Sequence, residues 1–283
     1  MVISGFANDK ARKRYAEVYD AILDWPLPYE DLTVETSFGP TYVRRSGGDG
    51  EPLVLLHGFT VTSLMWQRYA AELGRDHVLY AVDSMGEPGR SVQTAPMPDA
   101  RANADWLAEV LDSVGHDKVH LVGLSRGGWL ALNQAIHRPE RVSRVTAFDP
   151  AGFFRSWLRV YGYLWTGLLT MFLPGFLRRR IKADSKYSGF VDPAIRRLMI
   201  AQLPFRMKAF MIGDFTDEGL RGISVPTRII LAGRSPLHDA REVQARLARL
   251  APGVETEIVD TSHGLDLVEP TFLRDRIMGH PRS

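Results

Sequence analysis

The chain has 283 residues, 45% of them apolar, and its net charge of +2 gives no electrostatic case for a nucleic-acid partner. The absence of cysteine excludes disulfides, thiolate metal sites and a Cys nucleophile, and it fits a reducing compartment. No apolar leader is readable in Met1–Asp20, so a cytoplasmic location is expected for a chain that can fill one large α/β domain or two small ones.

In chain order, Lys10–Leu23 reads as an amphipathic helix that stops before Trp25-Pro26. Asp31–Glu35 and Thr41–Arg45 read as antiparallel strands joined near Gly39-Pro40. Pro52–Leu56 is a buried strand running into His57-Gly58-Phe59-Thr60, and Ser63 is the expected cap of a helix over Ser63–Leu73. His77–Val82 is the next strand, followed by a turn-rich loop from Asp83 to Ser91. A helix capped by Asp99 is expected over Asp99–Val114, then a strand over 118–122. Gly123-Leu124-Ser125-Arg126-Gly127 separates that strand from a helical run over Trp129–His137. Val142–Phe148 is a further strand and ends at Asp149-Pro150.

The alternation then breaks. Residues 153–222 are dense in aromatics, Leu, Met and Arg, without strand-like periodicity, and read as a helical insertion. Within it, Val160–Leu177 carries no charge, which approaches the length of a membrane span. A single span there would separate Ser125 from His263 by a bilayer, so an apolar cap helix is expected instead. Order resumes with a strand (Thr227–Ala232), a helix (Asp239–Leu250), a strand (Val254–Val259) and a last helix over Pro270–Met278.

Alternating strands and helices imply a mostly parallel sheet covered on both faces. Right-handed crossovers bring the strand C-termini to one edge, and Ser125, Asp149 and His263 with them. Gly-x-Ser-x-Gly between a strand and a helix marks a sharp turn that lifts the serine above that edge. A serine hydroxyl needs a base within hydrogen-bond reach, and His263 has the titration range for it. The eight histidines show no metal spacing and no dinucleotide or phosphate-loop motif is present, so neither metal nor cofactor is expected.

With these motifs in place the chain resembles the α/β-hydrolase superfamily. The resemblance rests on His57-Gly58-Phe59, Asp83-x-x-Gly86-x-x-Gly89-x-Ser91, Gly123–Gly128 and Thr261-Ser262-His263-Gly264, and spans about Asp31 to Met278. It is similar above all to bacterial carboxylesterases with a helical cap. The resemblance implies an α/β-hydrolase core over 1–152 and 223–283, with a cap over 153–222 inserted after the sixth core strand. It also implies Ser125 as nucleophile, His263 as base, and the N–H groups of Phe59 and Arg126 as oxyanion donors.

One departure concerns the acid. Such esterases place it on the loop after the strand at Thr227–Ala232, which here reads Gly233-Arg234-Ser235-Pro236-Leu237-His238-Asp239. Asp239 comes late and suits a helix cap. Asp149 ends the preceding core strand, where some haloalkane dehalogenases carry their acid, so it is the expected acid and Asp239 the alternative. His57 is expected to hold its loop by hydrogen bonds, while the Arg126 side chain faces solvent or an acidic substrate group. His57, Trp157, Tyr161 and Trp165 are candidates for the pocket wall.

The expected activity is hydrolysis of a carboxylic ester of a hydrophobic small molecule through an acyl-enzyme. A lyase or cyclase using His263–Asp149 as a base, and a non-catalytic ligand-binding protein, are the competing readings.

Overall fold

A computed structural model describes residues 3–154, 157–181, 192–208, 212–263 and 269–279. Its centre is an eight-stranded sheet. The strands are β2 (Tyr29–Val34), β3 (Thr41–Gly47), β4 (Pro52–Leu56), β5 (Val78–Val82), β6 (Val119–Leu124), β7 (Val142–Phe148), β9 (Thr227–Ala232) and β10 (Val254–Val259). They lie in the order β10-β9-β7-β6-β4-β5-β3-β2. Only β3 runs against its neighbours; every other pairing in the sheet is parallel. This is the mostly parallel α/β-hydrolase sheet the sequence implies. A separate ribbon pairs β1 (Gly5–Phe6) with β8 (Phe205–Arg206).

Period-two alternation divides the apolar residues between two faces. Val54, Leu56, Leu121, Ile229 and Leu231 point to one side, under α3 (Ala100–Ser113), α4 (Arg126–His137) and the helix Ala240–Leu250. Leu53, Leu55, Val122, Ile230 and Ala232 point to the other, under α2 (Gln67–Leu73) and the helix Pro270–Met278. These strands are sealed on both faces, which explains why they read as continuous apolar runs.

Several boundaries differ from the sequence reading, and those beside the site have physical causes. The first helical segment after β4 opens as a 3-10 turn over Ser63–Trp66, and its cap is Thr62, not Ser63. Ser63 instead gives its N–H to Asp83 Oδ1 at 2.8 Å. The strand at 118–122 continues to Leu124, and α4 begins at Arg126 rather than Trp129. Two glycines in the first turn of α4 disguise a helix by propensity. They are there for space: a Cβ on Gly127 would lie 2.0 Å from the Leu56 carbonyl oxygen.

The insertion follows β7. Its described helices are α5 (Trp157–Met171), α6 (Gly175–Arg178) and α7 (Pro193–Ala201). The N-terminal helix α1 (Asp9–Ile22), capped by Asn8, packs Tyr15 and Tyr19 against Leu198 and Ala201 of α7. The N-terminal strand and helix therefore pack against the far end of the insertion. Among the described residues no helix is long and apolar enough to cross a membrane.

Register brings the site together. Leu124 pairs with Phe148, Phe148 with Ile230, and Ala232 with Val259, so β6, β7, β9 and β10 end nearly level. At the end of β6, a Cβ on Gly123 would lie 2.2 Å from the backbone of Gly127. Gly123→Ala is therefore expected to force strand and helix apart and to destabilise the fold by at least ~2 kcal/mol, read as a lower denaturant midpoint.

Candidate active site

Ser125 sits between β6 and α4 with φ 54 and ψ −112, a backbone conformation that non-glycine residues rarely adopt. Such strain costs about 1–3 kcal/mol and persists only where the surroundings impose it. Here backbone bonds impose it. The Ser125 N–H donates to the Phe148 carbonyl at 2.9 Å, and its own carbonyl accepts from Trp129 and Ala151, each at 3.0 Å. The hydroxyl stands at the N-terminus of α4, where the first N–H groups have no acceptor within the helix.

His263 lies four residues past the end of β10, and its Nε2 is 3.0 Å from Ser125 Oγ. Its Nδ1 is 2.5 Å from Asp149 Oδ2. Asp149 follows β7 with φ 40 and is fully buried. Ser125, His263 and Asp149 thus form one hydrogen-bonded line. Asp239 lies outside it: its carboxylate accepts the N–H groups of Arg241 and Glu242 and caps the helix Ala240–Leu250.

Burial alone would raise the Asp149 carboxyl. The donors His238 and His263 outweigh burial and hold it well below the usual carboxylate range. The Ala232 N–H and the Ser235 hydroxyl also donate to it, at 2.9 and 2.8 Å. Asp149 therefore stays charged and orients His263 so that Nε2 faces the serine.

His57 is fully buried and fixes its own loop. Its Nδ1 donates to the Gly58 carbonyl at 2.7 Å, and its Nε2 accepts the Ser84 N–H at 2.9 Å. These two bonds require the neutral ring with its proton on Nδ1. They also leave it no free nitrogen for a substrate. The Asp83–Ser91 motif is likewise a scaffold: Asp83 accepts from the N–H groups of Ser63 and Arg90, and the Ser91 hydroxyl donates to the Asp83 carbonyl.

The Arg126 side chain faces neither solvent nor a substrate. It is buried, and its Nε is in close contact with Glu87 Oε1, also buried. Glu87 Oε2 accepts the N–H of Thr60 at 2.7 Å, and Thr60 itself has φ 64. One buried ion pair therefore joins Arg126, the residue after Ser125, to the loop that follows β4. Phe59 and Arg126 thus belong to segments locked together beside Ser125.

The aromatic candidates fare differently. Tyr161 and Trp165 on α5 are 47% and 63% exposed. Tyr163, two residues and about 200° further round the helix, presents its ring edge-on to His263 at 6.0 Å between centroids. The side chain of Trp157, and Gly264, lie outside the described residues. The sequence does not single out Glu87, Tyr163, Ser235 or His238 as site residues. His238 alone carried a signal, as a histidine on the loop where an acid was sought.

The chain belongs to the α/β hydrolase family, whose model matches residues 53–276. It is 30% identical to carboxylesterase YbfK of Bacillus subtilis, over 96% of this chain and 95% of that protein. The solved structure of carboxylesterase CesB (YbfK) superposes with a TM-score of 0.82 at 29% identity, covering 95% of this chain and 98% of that one. Naproxen esterase from Bacillus subtilis superposes with a TM-score of 0.81 at 28% identity, covering 94% and 96%. Within the family the chain is thus carboxylesterase-like along nearly its whole length.

Removing one member of a buried ion pair strands the other charge. Glu87→Ala is expected to lower unfolding stability by about 3–5 kcal/mol, measured by denaturant titration.

Proposed function

We propose that the protein is a serine carboxylic-ester hydrolase that works through an acyl-enzyme on Ser125, with His263 as general base and Asp149 as its acid partner. The observation that carries this reading is the unbroken line from Ser125 Oγ to His263 Nε2 at 3.0 Å and from His263 Nδ1 to Asp149 Oδ2 at 2.5 Å. The full-length similarity to carboxylesterases supports the reaction class.

Ser125 Oγ attacks the ester carbonyl carbon as its proton passes to His263 Nε2. The carbonyl oxygen takes the negative charge and accepts hydrogen bonds from the N–H groups of Phe59 and Arg126. Collapse of this intermediate breaks the C–O bond, and the alcohol leaves with the proton from His263. Water then gives a proton to His263 and attacks the acyl carbon. Collapse returns the proton to Ser125 and releases the acid. Asp149 remains ionised throughout, holding the Nδ1–H tautomer and stabilising the imidazolium.

Residues 153–222 act as the cap in this reading. Tyr163 on α5 stands beside the base, as an aromatic wall of an apolar acyl or alcohol pocket would. The substrate is a hydrophobic small-molecule ester.

The test is a panel of p-nitrophenyl esters. Ser125→Ala and His263→Ala are each expected to lower kcat at least ~10⁴-fold; undiminished turnover in either variant overturns the reading. Asp149→Asn is expected to cost about 10⁴-fold, because the amide cannot hold the same tautomer. Asp239→Ala should instead cost about 1 kcal/mol of stability through the lost cap and leave turnover unchanged.

A further inference from the structure

Asp149 is held by two imidazoles. His263 meets Oδ2, while His238 Nε2 lies 2.9 Å from Oδ1. A ring nitrogen facing a carboxylate oxygen at that distance carries its proton, since two lone pairs would repel. His238 is itself almost fully buried, and among the described residues Asp149 is the polar group its ring meets. Neither ring nitrogen makes an aligned hydrogen bond among the described residues, so the ring meets Asp149 through the 2.9 Å charge contact of Nε2 with Oδ1. Nothing in the loop's own folding uses the imidazole, because Asp239 caps the following helix and the Ser235 hydroxyl accepts the Leu237 N–H.

These groups sit in a telling place. Ser235 and His238 belong to the loop after β9, where an acid was sought in the sequence. That loop has no carboxylate directed at His263. It supplies the Ser235 hydroxyl and the His238 ring to a carboxylate that reaches over from the end of β7.

We propose that His238 is a positioning residue of the hydrolase, whose ring, with Nε2 2.9 Å from Asp149 Oδ1, steadies that oxygen by charge contact so that Oδ2 stays aimed at His263 and the carboxylate charge is shared between two imidazoles. The proposal rests on the serine-hydrolase reading above. The titratable groups facing Asp149 are His238, from the loop after β9, and His263, from the loop after β10. Tyr163 from α5 faces His263 in turn. Removing His238 returns negative charge to Oδ2 and strengthens the hold on the His263 imidazolium. The sign is the same whether His238 is neutral or charged, because either form draws charge from Asp149. The base then stays protonated to higher pH.

The experiment compares full pH profiles of kcat and KM on one p-nitrophenyl ester for the wild type, His238→Leu and His238→Gln. Glutamine can place an N–H near the position of Nε2, and leucine cannot. For His238→Leu the expected result is a ~10-fold lower kcat, little change in KM, and an acid limb moved to higher pH. His238→Gln should restore much of the wild-type profile. The downfield proton of the His263 Nδ1–H, followed by NMR, should shift in the leucine variant and return in the glutamine variant. If His238→Leu does not fold, His238→Asn replaces it, with an amide too short to reach Oδ1. An unmoved acid limb and an unmoved resonance overturn the proposal, as does equal impairment of the glutamine and leucine variants. Labelling of wild-type Ser125 by a phosphonate probe separates the two readings. A labelled serine with an unmoved profile sinks the role of His238 alone, whereas failure to label overturns the hydrolase reading and this proposal with it.

Discussion

A buried negative charge is the constraint around which this end of the molecule is arranged. Asp149 has no solvent exposure, and an unpaired carboxylate there would be very costly. The chain offsets that cost with hydrogen bonds from the Ala232 N–H, the Ser235 hydroxyl and His263, and with the His238 ring against Oδ1. These groups tie three pieces of chain to the end of β7. The end of β9, the loop after it and the loop after β10 are therefore located by one group. The positive φ at Asp149 fits the same account, since it is maintained where the backbone is bonded on both sides.

A second buried charge system lies across the serine. Glu87 and Arg126 pair within the fold, and Glu87 also holds the Thr60 N–H. Asp149 orders the side of Ser125 that carries the base. Glu87 orders the side that carries the segments of Phe59 and Arg126. Buried ion pairs contribute little net stability, because desolvation consumes most of the Coulomb gain. What this pair does provide is position, in a part of the chain where Thr60, Thr62 and Ser125 all have positive φ.

The sheet was legible in the sequence because its strands are apolar runs ended by turn residues. The line of Ser125, Asp149 and His263 was legible because each lies just beyond a strand whose direction the crossover rule sets. Asp239 could be separated from Asp149 by its position before a helix. Glu87 could not be read, since it is one acidic residue in a turn-rich loop and acquires meaning only when α4 brings Arg126 against it. His238 depended likewise on a tertiary contact, with Asp149 eighty-nine residues before it in the chain. Tyr161, Tyr163 and Trp165 lie on a helix apolar on several sides, so composition could not say which face meets His263. Thr62 and Ser63 are adjacent hydroxyls, and the choice between them was made by Asp83, which takes the Ser63 N–H.

The placement of the acid has a consequence for the insertion. Asp149 is followed at once by Pro150 and Ala151, and the Ala151 N–H donates to the Ser125 carbonyl. Gly152, at φ 93, then turns the chain, and its carbonyl accepts the Phe215 N–H from the returning end of the insertion. The outgoing root of the insertion is thus bonded to the backbone of Ser125, and the incoming root is bonded to the outgoing one. Phe215 also packs on Phe153 and stacks on Trp129 of α4. An acid on the loop after β9 would lie beyond the insertion in the chain and stand apart from its root. A carboxylate at the end of β7 makes Ser125, Asp149 and the root one continuous bonded unit. Displacement of the root by a bulky ligand would therefore strain Ser125 and Asp149 directly. The path of the insertion's root and the geometry of Ser125 and Asp149 are set by the same few backbone bonds.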